Sequence, residues 1–179
     1  AGERAAEEER GMWSERMVTV GNLKLNLASG PENGPPLLYL HGLVRGWRDG
    51  APLWPALLPR WHVHALDHRG HGRSDRCPDH YQVRDYIGDA IALVRDHLPE
   101  GVVLIGHSLG ALTAAAVEVG RLLICISGGA LGVVHVDITG ELLALFKHRP
   151  VEELTHLLHG AVEIVPAEQV IALLGDLAG

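Results

Sequence analysis

The sequence predicts an α/β fold: a mostly parallel sheet with helices on both faces. Three observations point to it. Apolar runs at 37–40, 63–66, 102–105 and 122–126 are unbroken, as in strands buried on both faces. Helical patterns alternate with these runs, and that alternation makes a mostly parallel sheet. One run breaks directly through the glycine-flanked Ser108 into an alanine-rich helix. A chain of 179 residues, 47% hydrophobic and 21% charged, has enough apolar content for one globular domain with a core of its own.

Residues 1–14 read as an acidic lead-in containing Glu3, Glu7, Glu8 and Glu9, and the core is expected over 15–130. It opens on two runs, 18–20 and 23–27, separated by Gly21-Asn22, a hairpin signal that makes an antiparallel opening pair. After a loop at 29–36, the strand at 37–40 ends at His41-Gly42, and the strand at 63–66 ends at Asp67. Val83, Ile87, Ala90, Ile91, Val94 and Leu98 recur at helical spacing, so 82–98 should lay one apolar face on the sheet. The strand at 102–105 leads to Ser108 and a short helix at 111–119, and 122–126 is the last strand. A loop at 127–132 then opens a helical, cap-like segment over 131–179. Helical patterns there cover 141–146, 152–159 and 167–177, with Pro150 and Pro166 placed where proline starts a helix.

Gly106-His107-Ser108-Leu109-Gly110 has the form of a nucleophile elbow. Glycines two residues to either side of the serine leave no Cβ where strand and helix backbones come close. The serine must itself take an unfavourable backbone conformation, with its hydroxyl exposed. The helix that follows directs N–H groups at the reaction site and favours developing negative charge there. Ser108 is the candidate nucleophile.

Two further segments stand in order ahead of that elbow. Leu38-Tyr39-Leu40-His41-Gly42 is a strand with a His-Gly turn, and residues 67–75 read D-H-R-G-H-G-R-S-D. With these three motifs the chain resembles the α/β-hydrolase fold superfamily, in its serine esterase and lipase-like branch, over residues 15–130. The resemblance implies a serine hydrolase that cleaves a small ester, thioester or lactone through an acyl-enzyme on Ser108. It also implies an oxyanion hole made by the backbone N–H groups of Leu43, right after His41-Gly42, and Leu109, right after the nucleophile. One such preorganised donor is worth roughly 3 to 4 kcal/mol. The 67–75 loop is expected to have a structural task, its glycines permitting the turn while Arg69 and Asp75 tie it down. Aspartate-nucleophile relatives acting on haloalkanes and epoxides are disfavoured, because the elbow carries a serine.

A serine nucleophile needs a base, normally a histidine held by a carboxylate. In the resembled family the acid follows a strand after the elbow, and the histidine comes near the C-terminus. Nothing after 126 reads as a strand ending in Asp or as a late loop carrying Gly-His. The last two strands, the triad acid and the triad histidine are therefore expected to be missing, with the chain truncated after the cap. Among the 12 histidines, His41, His107, His62 and His64 read as packing or hydrogen-bonding groups, the last two sharing one strand face. His135, His148, His156 and His159 lie in the cap-like segment, with Asp137 the nearest acid, and none is singled out as the base. The alternative to an enzyme is a catalytically silent, truncated hydrolase-like module used for binding or assembly.

A formal net charge of −7 argues against nucleic acid as a partner, because phosphate binding needs a basic surface. No apolar run approaches the roughly 20 residues that span a bilayer, and the acidic first residues are unlike a signal peptide, so a cytoplasmic setting is expected. Cys77 in a polar loop and Cys125 in an apolar strand read as free thiols. No ligand spacing for a metal is found and serine chemistry requires no cofactor. With no strand legible after 122–126, its outer edge should be open and should pair with a second copy or a complementary fragment.

Overall fold

The computed structural model describes residues 11–99, 101–117, 123–127 and 130–134. Among the described residues seven strands form one mixed sheet in the order β1-β2-β4-β3-β5-β6-β7. The opening pair is β1 (Ser14–Val20) and β2 (Leu23–Ser29), antiparallel, with Val20 opposite Leu23 across Gly21-Asn22. Gly21 takes φ +59°, the left-handed backbone that such a tight turn favours. Strand β2 then pairs antiparallel with β4 (His62–Leu66). The centre is parallel: β4 beside β3 (Pro36–Leu40), β3 beside β5 (Val103–His107), and β5 beside β6 (Leu123–Ser127).

Alternation along the central strands divides the core in two. Leu38, Leu40, Leu66 and Leu104 face one cluster with Leu25, Leu27, Ala90, Leu93, Ala111 and Ala114. Leu37, Tyr39, Val63, Val103 and Ile105 face the other, with Trp47, Trp54, Leu57 and Trp61. The first face is covered by helices α2 (Val83–His97) and α3 (Leu109–Ala116). The second is covered by a 3₁₀ segment, Trp47–Leu53, running into the short helix α1 (Trp54–Leu57). Periodicity does not reveal this segment, because its hold on the sheet comes from Trp47 and Trp54 rather than from a repeating stripe. Trp13 adds to it, with ring centroids 4.8 Å from Trp47 and 5.1 Å from Trp54.

Helix α2 starts where Gln82 donates its backbone N–H to the Asp85 carboxylate at 2.8 Å, and it carries Arg95 and His97 in its last turn. Its buried face is centred on Tyr86, Asp89, Ala90 and Leu93, and Ile91, expected on that face, is exposed. The rotation has a polar cause. Asp89 is buried because it receives the Arg69 guanidinium through two bonds, at 2.7 and 2.6 Å. Helix α3 begins at Leu109, earlier than the alanine run indicates, and ends at Ala116.

The expectation of an open β6 edge is corrected. Strand β7 (Ala130–Val134) lies antiparallel to β6, with Ser127 opposite Ala130 and Leu123 opposite Val134. The loop read over 127–132 therefore gives way to a strand. Two residues, Gly128-Gly129, separate the paired positions, a composition that two-residue hairpins favour. The association expected through that edge loses its premise. The helical patterns at 141–146, 152–159 and 167–177, and residues 1–10 of the 1–14 lead-in, lie outside the described residues.

Two glycines test how tightly the layers close. A Cβ on Gly110 would collide with the Leu40 carbonyl oxygen and stand 2.8 Å from the His41 oxygen, whereas a Cβ on the exposed Gly88 of α2 meets nothing within 4 Å. Gly110→Ala is expected to destabilise the fold by about 3 kcal/mol or more. Gly88→Ala should stabilise it by about 0.5–1 kcal/mol through helix propensity. Urea unfolding of both variants checks the pair, and equal midpoints would refute the close approach.

Candidate active site

Ser108 sits at the end of β5 with φ +51° and ψ −111°, exposed, immediately before the first residue of α3. A serine in that region is strained by about 1–3 kcal/mol and persists only where its surroundings hold it. They do so on both sides. A Cβ on Gly106 would strike the Gly110 oxygen and come within 2.5 Å of the Ala111 Cα and nitrogen, so strand and helix can cross there only without side chains. The Ser108 carbonyl accepts from the N–H groups of Ala111 and Leu112 at 2.9 and 3.2 Å, starting the helix on the serine itself. Leu109, as the first helical residue, has no intrahelical partner for its N–H.

Across from the elbow, β3 ends in the turn of residues 41–44. A Cβ on Gly42 would stand 2.8 Å from His107 Nδ1, so the turn and the elbow are in direct contact. His41 is fully buried. Its Nε2 accepts the backbone N–H of His68 at 3.0 Å and its Nδ1 donates to the Gly42 carbonyl at 2.7 Å. Both bonds require a neutral ring with the proton on Nδ1. A trans peptide points its C=O and N–H in opposite directions, so holding the Gly42 oxygen also orients the Leu43 N–H. The side chains of Leu43 and Val44 are 57% and 85% exposed, and Val44 takes φ +54°, an outlier for a β-branched residue.

The 67–75 loop shows how a short polar segment is held down. The buried Asp67 carboxylate accepts from Asn26 Nδ2 at 2.8 Å, the Trp47 N–H at 2.9 Å and the Arg73 N–H at 3.1 Å. Ser74 Oγ accepts the Asn26 N–H at 2.9 Å and donates to the Asp67 carbonyl at 2.5 Å. Asp75 receives the Lys24 N–H at 2.8 Å and returns its own N–H to the Lys24 carbonyl at 2.9 Å. Ser74 and Asp75 thereby sew the loop to β2, while Arg69 ties it to Asp89 of α2. Asn26, Asp89 and the Trp47 N–H are partners that the sequence reading missed, since none belongs to a recognisable motif.

The remaining expected residues are placed as follows. His62 and His64 share a face with ring centroids 4.2 Å apart, on β4, which β3 separates from the elbow strand. His107 Nδ1 lies 3.9 Å from Asp49, beyond hydrogen-bonding reach. Among the described residues no imidazole or carboxylate is hydrogen-bonded to Ser108, and no group of three His, Cys, Asp or Glu could hold a metal ion. His135, Asp137, His148, His156 and His159 lie outside the described residues. Cys77 is a free thiol. No described helix is long and apolar enough to cross a membrane.

This strand, elbow and helix arrangement is that of an α/β hydrolase. The profile of the alpha/beta hydrolase family matches residues 37–175, and the chain belongs to that family. It is 38% identical over 104 residues to a 2-(acetamidomethylene)succinate hydrolase of Mesorhizobium japonicum, covering 56% of this chain and 37% of that one. It is 31% identical over 86 residues to epoxide hydrolase B of Mycobacterium tuberculosis, covering 46% and 24%. Among solved structures, an epoxide hydrolase from Vigna radiata superposes with a TM-score of 0.60 at 26% identity, over 64% of this chain and 38% of its own. The chain spans well under half the length of each of these relatives.

Three buried histidines give the fold a pH dependence. Burial pushes His41 and His64 down to about 4 and His68 well below the ordinary value of 6.5. Between 6.5 and about 4 the unfolded chain takes up protons that the folded chain refuses, so stability is full above that window and falls as the pH drops through it. Each histidine contributes a slope of up to about 1.4 kcal/mol per pH unit. The melting temperature should therefore fall steadily from pH 7 to pH 4.5, and a flat profile would show that these rings are not held neutral.

Proposed function

We propose that this chain carries the nucleophile and oxyanion hole of a serine hydrolase that cleaves a small ester, thioester or lactone through an acyl-enzyme on Ser108. The observation that carries the reading is Ser108 itself, exposed at positive φ at the mouth of a helix and beside the His41–Val44 turn. Attack by Oγ on a carbonyl carbon moves the π electrons onto oxygen. The N–H groups of Leu109 and Leu43 are the donors proposed to receive that charge. Collapse of the intermediate expels the alcohol or thiol, and water then releases the acid. The serine proton must pass to a base, and the triad acid and histidine are not among the described residues.

The relatives support hydrolysis as the reaction class. The name of the Mesorhizobium relative includes an acetamido group, an acyl unit of the kind a serine nucleophile can accept. The likeness to epoxide hydrolases does not bring epoxide opening with it, because Ser108 occupies the position where the resemblance places a carboxylate nucleophile for that chemistry. The remaining parts of the reading are a small-molecule substrate, no cofactor and a cytoplasmic setting.

Ser108→Ala is expected to abolish covalent labelling by a fluorophosphonate probe and any hydrolysis of activated esters, with an unchanged melting temperature. Labelling that survives in the variant would move the nucleophile elsewhere. A folded wild-type chain that takes no label would favour the binding-module reading instead.

A further inference from the structure

The 67–75 loop does more than anchor itself to β2: it reaches the turn opposite Ser108 through a single side chain. His71 Nε2 accepts the backbone N–H of Val44 at 3.1 Å, and its Nδ1 donates to the Arg69 carbonyl at 2.9 Å. The second bond places the proton on Nδ1 and leaves Nε2 free to accept. His71 is itself held from several directions. Its N–H bonds the His68 carbonyl at 2.9 Å and its carbonyl receives the Ser74 N–H at 3.0 Å. Arg69, two residues earlier, is locked to the buried Asp89. The imidazole lies edge-on to His41 and Tyr86, with centroids 5.2 and 6.4 Å away.

Val44 needs such a partner. A valine at φ +54° with an 85% exposed side chain has no packing to hold it there, and a backbone so placed relaxes unless something over-determines it. The peptide before Leu43 is fixed by the bond from His41 to the Gly42 oxygen, and the peptide after it by the bond from Val44 to His71. Leu43 is thus clamped between two histidines that approach from opposite ends of the turn.

We propose that His71 is a positioning residue for the oxyanion hole: by accepting the Val44 N–H it holds the Leu43 N–H aimed at the acyl oxygen above Ser108. This rests on the serine hydrolase reading above. It gives the 67–75 loop a role in the transition state without any contact with substrate. Misplacing a catalytic group by about an ångström can cost about 10²-fold in rate.

The test compares the wild-type chain with His71→Phe, which keeps a ring against His41 and Tyr86 but offers no acceptor, and with His71→Gln, whose Oε1 lies close to the position of Nε2. The measurements are Ser108 labelling by a fluorophosphonate, resolved into the maximal rate and the half-saturating concentration, and hydrogen exchange at the Val44 amide. The expected result for His71→Phe is a maximal rate lower by about 10- to 100-fold, with unchanged half-saturation and fast Val44 exchange, and for His71→Gln a return of both towards wild type. A folded His71→Phe that labels as fast as wild type overturns the proposal and leaves the serine reading intact. A folded wild type that takes no label overturns the serine reading, and the oxyanion role with it. Should His71→Phe unfold, wild type and His71→Gln decide: a protected Val44 amide and equal labelling in both support the clamp, and an unprotected Val44 amide in wild type overturns it.

Discussion

Everything at the candidate site depends on backbones meeting where no Cβ can stand. Gly106 passes against the Gly110 oxygen and Ala111, and Gly110 passes against the Leu40 and His41 carbonyls. These contacts bring the ends of β3 and β5 and the start of α3 to one point. The strain at Ser108 follows from that crossing, since a strand that must become a helix within one residue has no relaxed conformation available to a serine. So does the position of the His41–Val44 turn, because β3 can deliver it beside the serine only when α3 packs directly on the end of that strand.

A second constraint is electrical rather than steric. Asn26, His41, Asp67, His68, Ser74 and Asp89 are buried together near the same end of the sheet, where an unpaired polar group costs free energy. The solution is a network in which nearly every buried group is given a partner: Asp67 collects three N–H donors, and His41 and His68 bond each other's backbone. Two acceptors of this network, Asn26 Oδ1 and His68 Nδ1, are left without a partner among the described residues. Neutral imidazoles suit this task because each supplies one donor and one acceptor, and their loss of basicity is the consequence of holding them dry. The network ties a segment without regular secondary structure to the strands around it.

Family membership and catalytic identity rest on different residues. The central strands, the crossing glycines and the sewn-down loop define an α/β hydrolase whatever the nucleophile. A single side chain at the elbow then distinguishes attack by a hydroxyl from attack by a carboxylate. The similarity to epoxide hydrolases is therefore a statement about the scaffold, while the proposed hydroxyl chemistry rests on Ser108.

What the residues determine by themselves is whatever depends on near neighbours along the chain. Gly21-Asn22 makes a hairpin, unbroken apolar runs make buried strands, and Gly-x-Ser-x-Gly between a strand and an alanine run makes an elbow, because sterics and periodicity act over a few positions. Gly128-Gly129 is a turn signal of the same local kind in the sequence, and β7 pairs antiparallel with β6 on its far side, where the family pattern leads instead to a cap. Tertiary structure alone decided the pairings across distance: Asn26 with Asp67 over 41 residues, Val44 with His71 over 27 and Arg69 with Asp89 over 20. Neither member of such a pair carries a mark in the sequence, because a buried hydrogen bond is chosen by which groups the stacked layers bring within about 3 Å, and that is settled only when the sheet and its helices have closed.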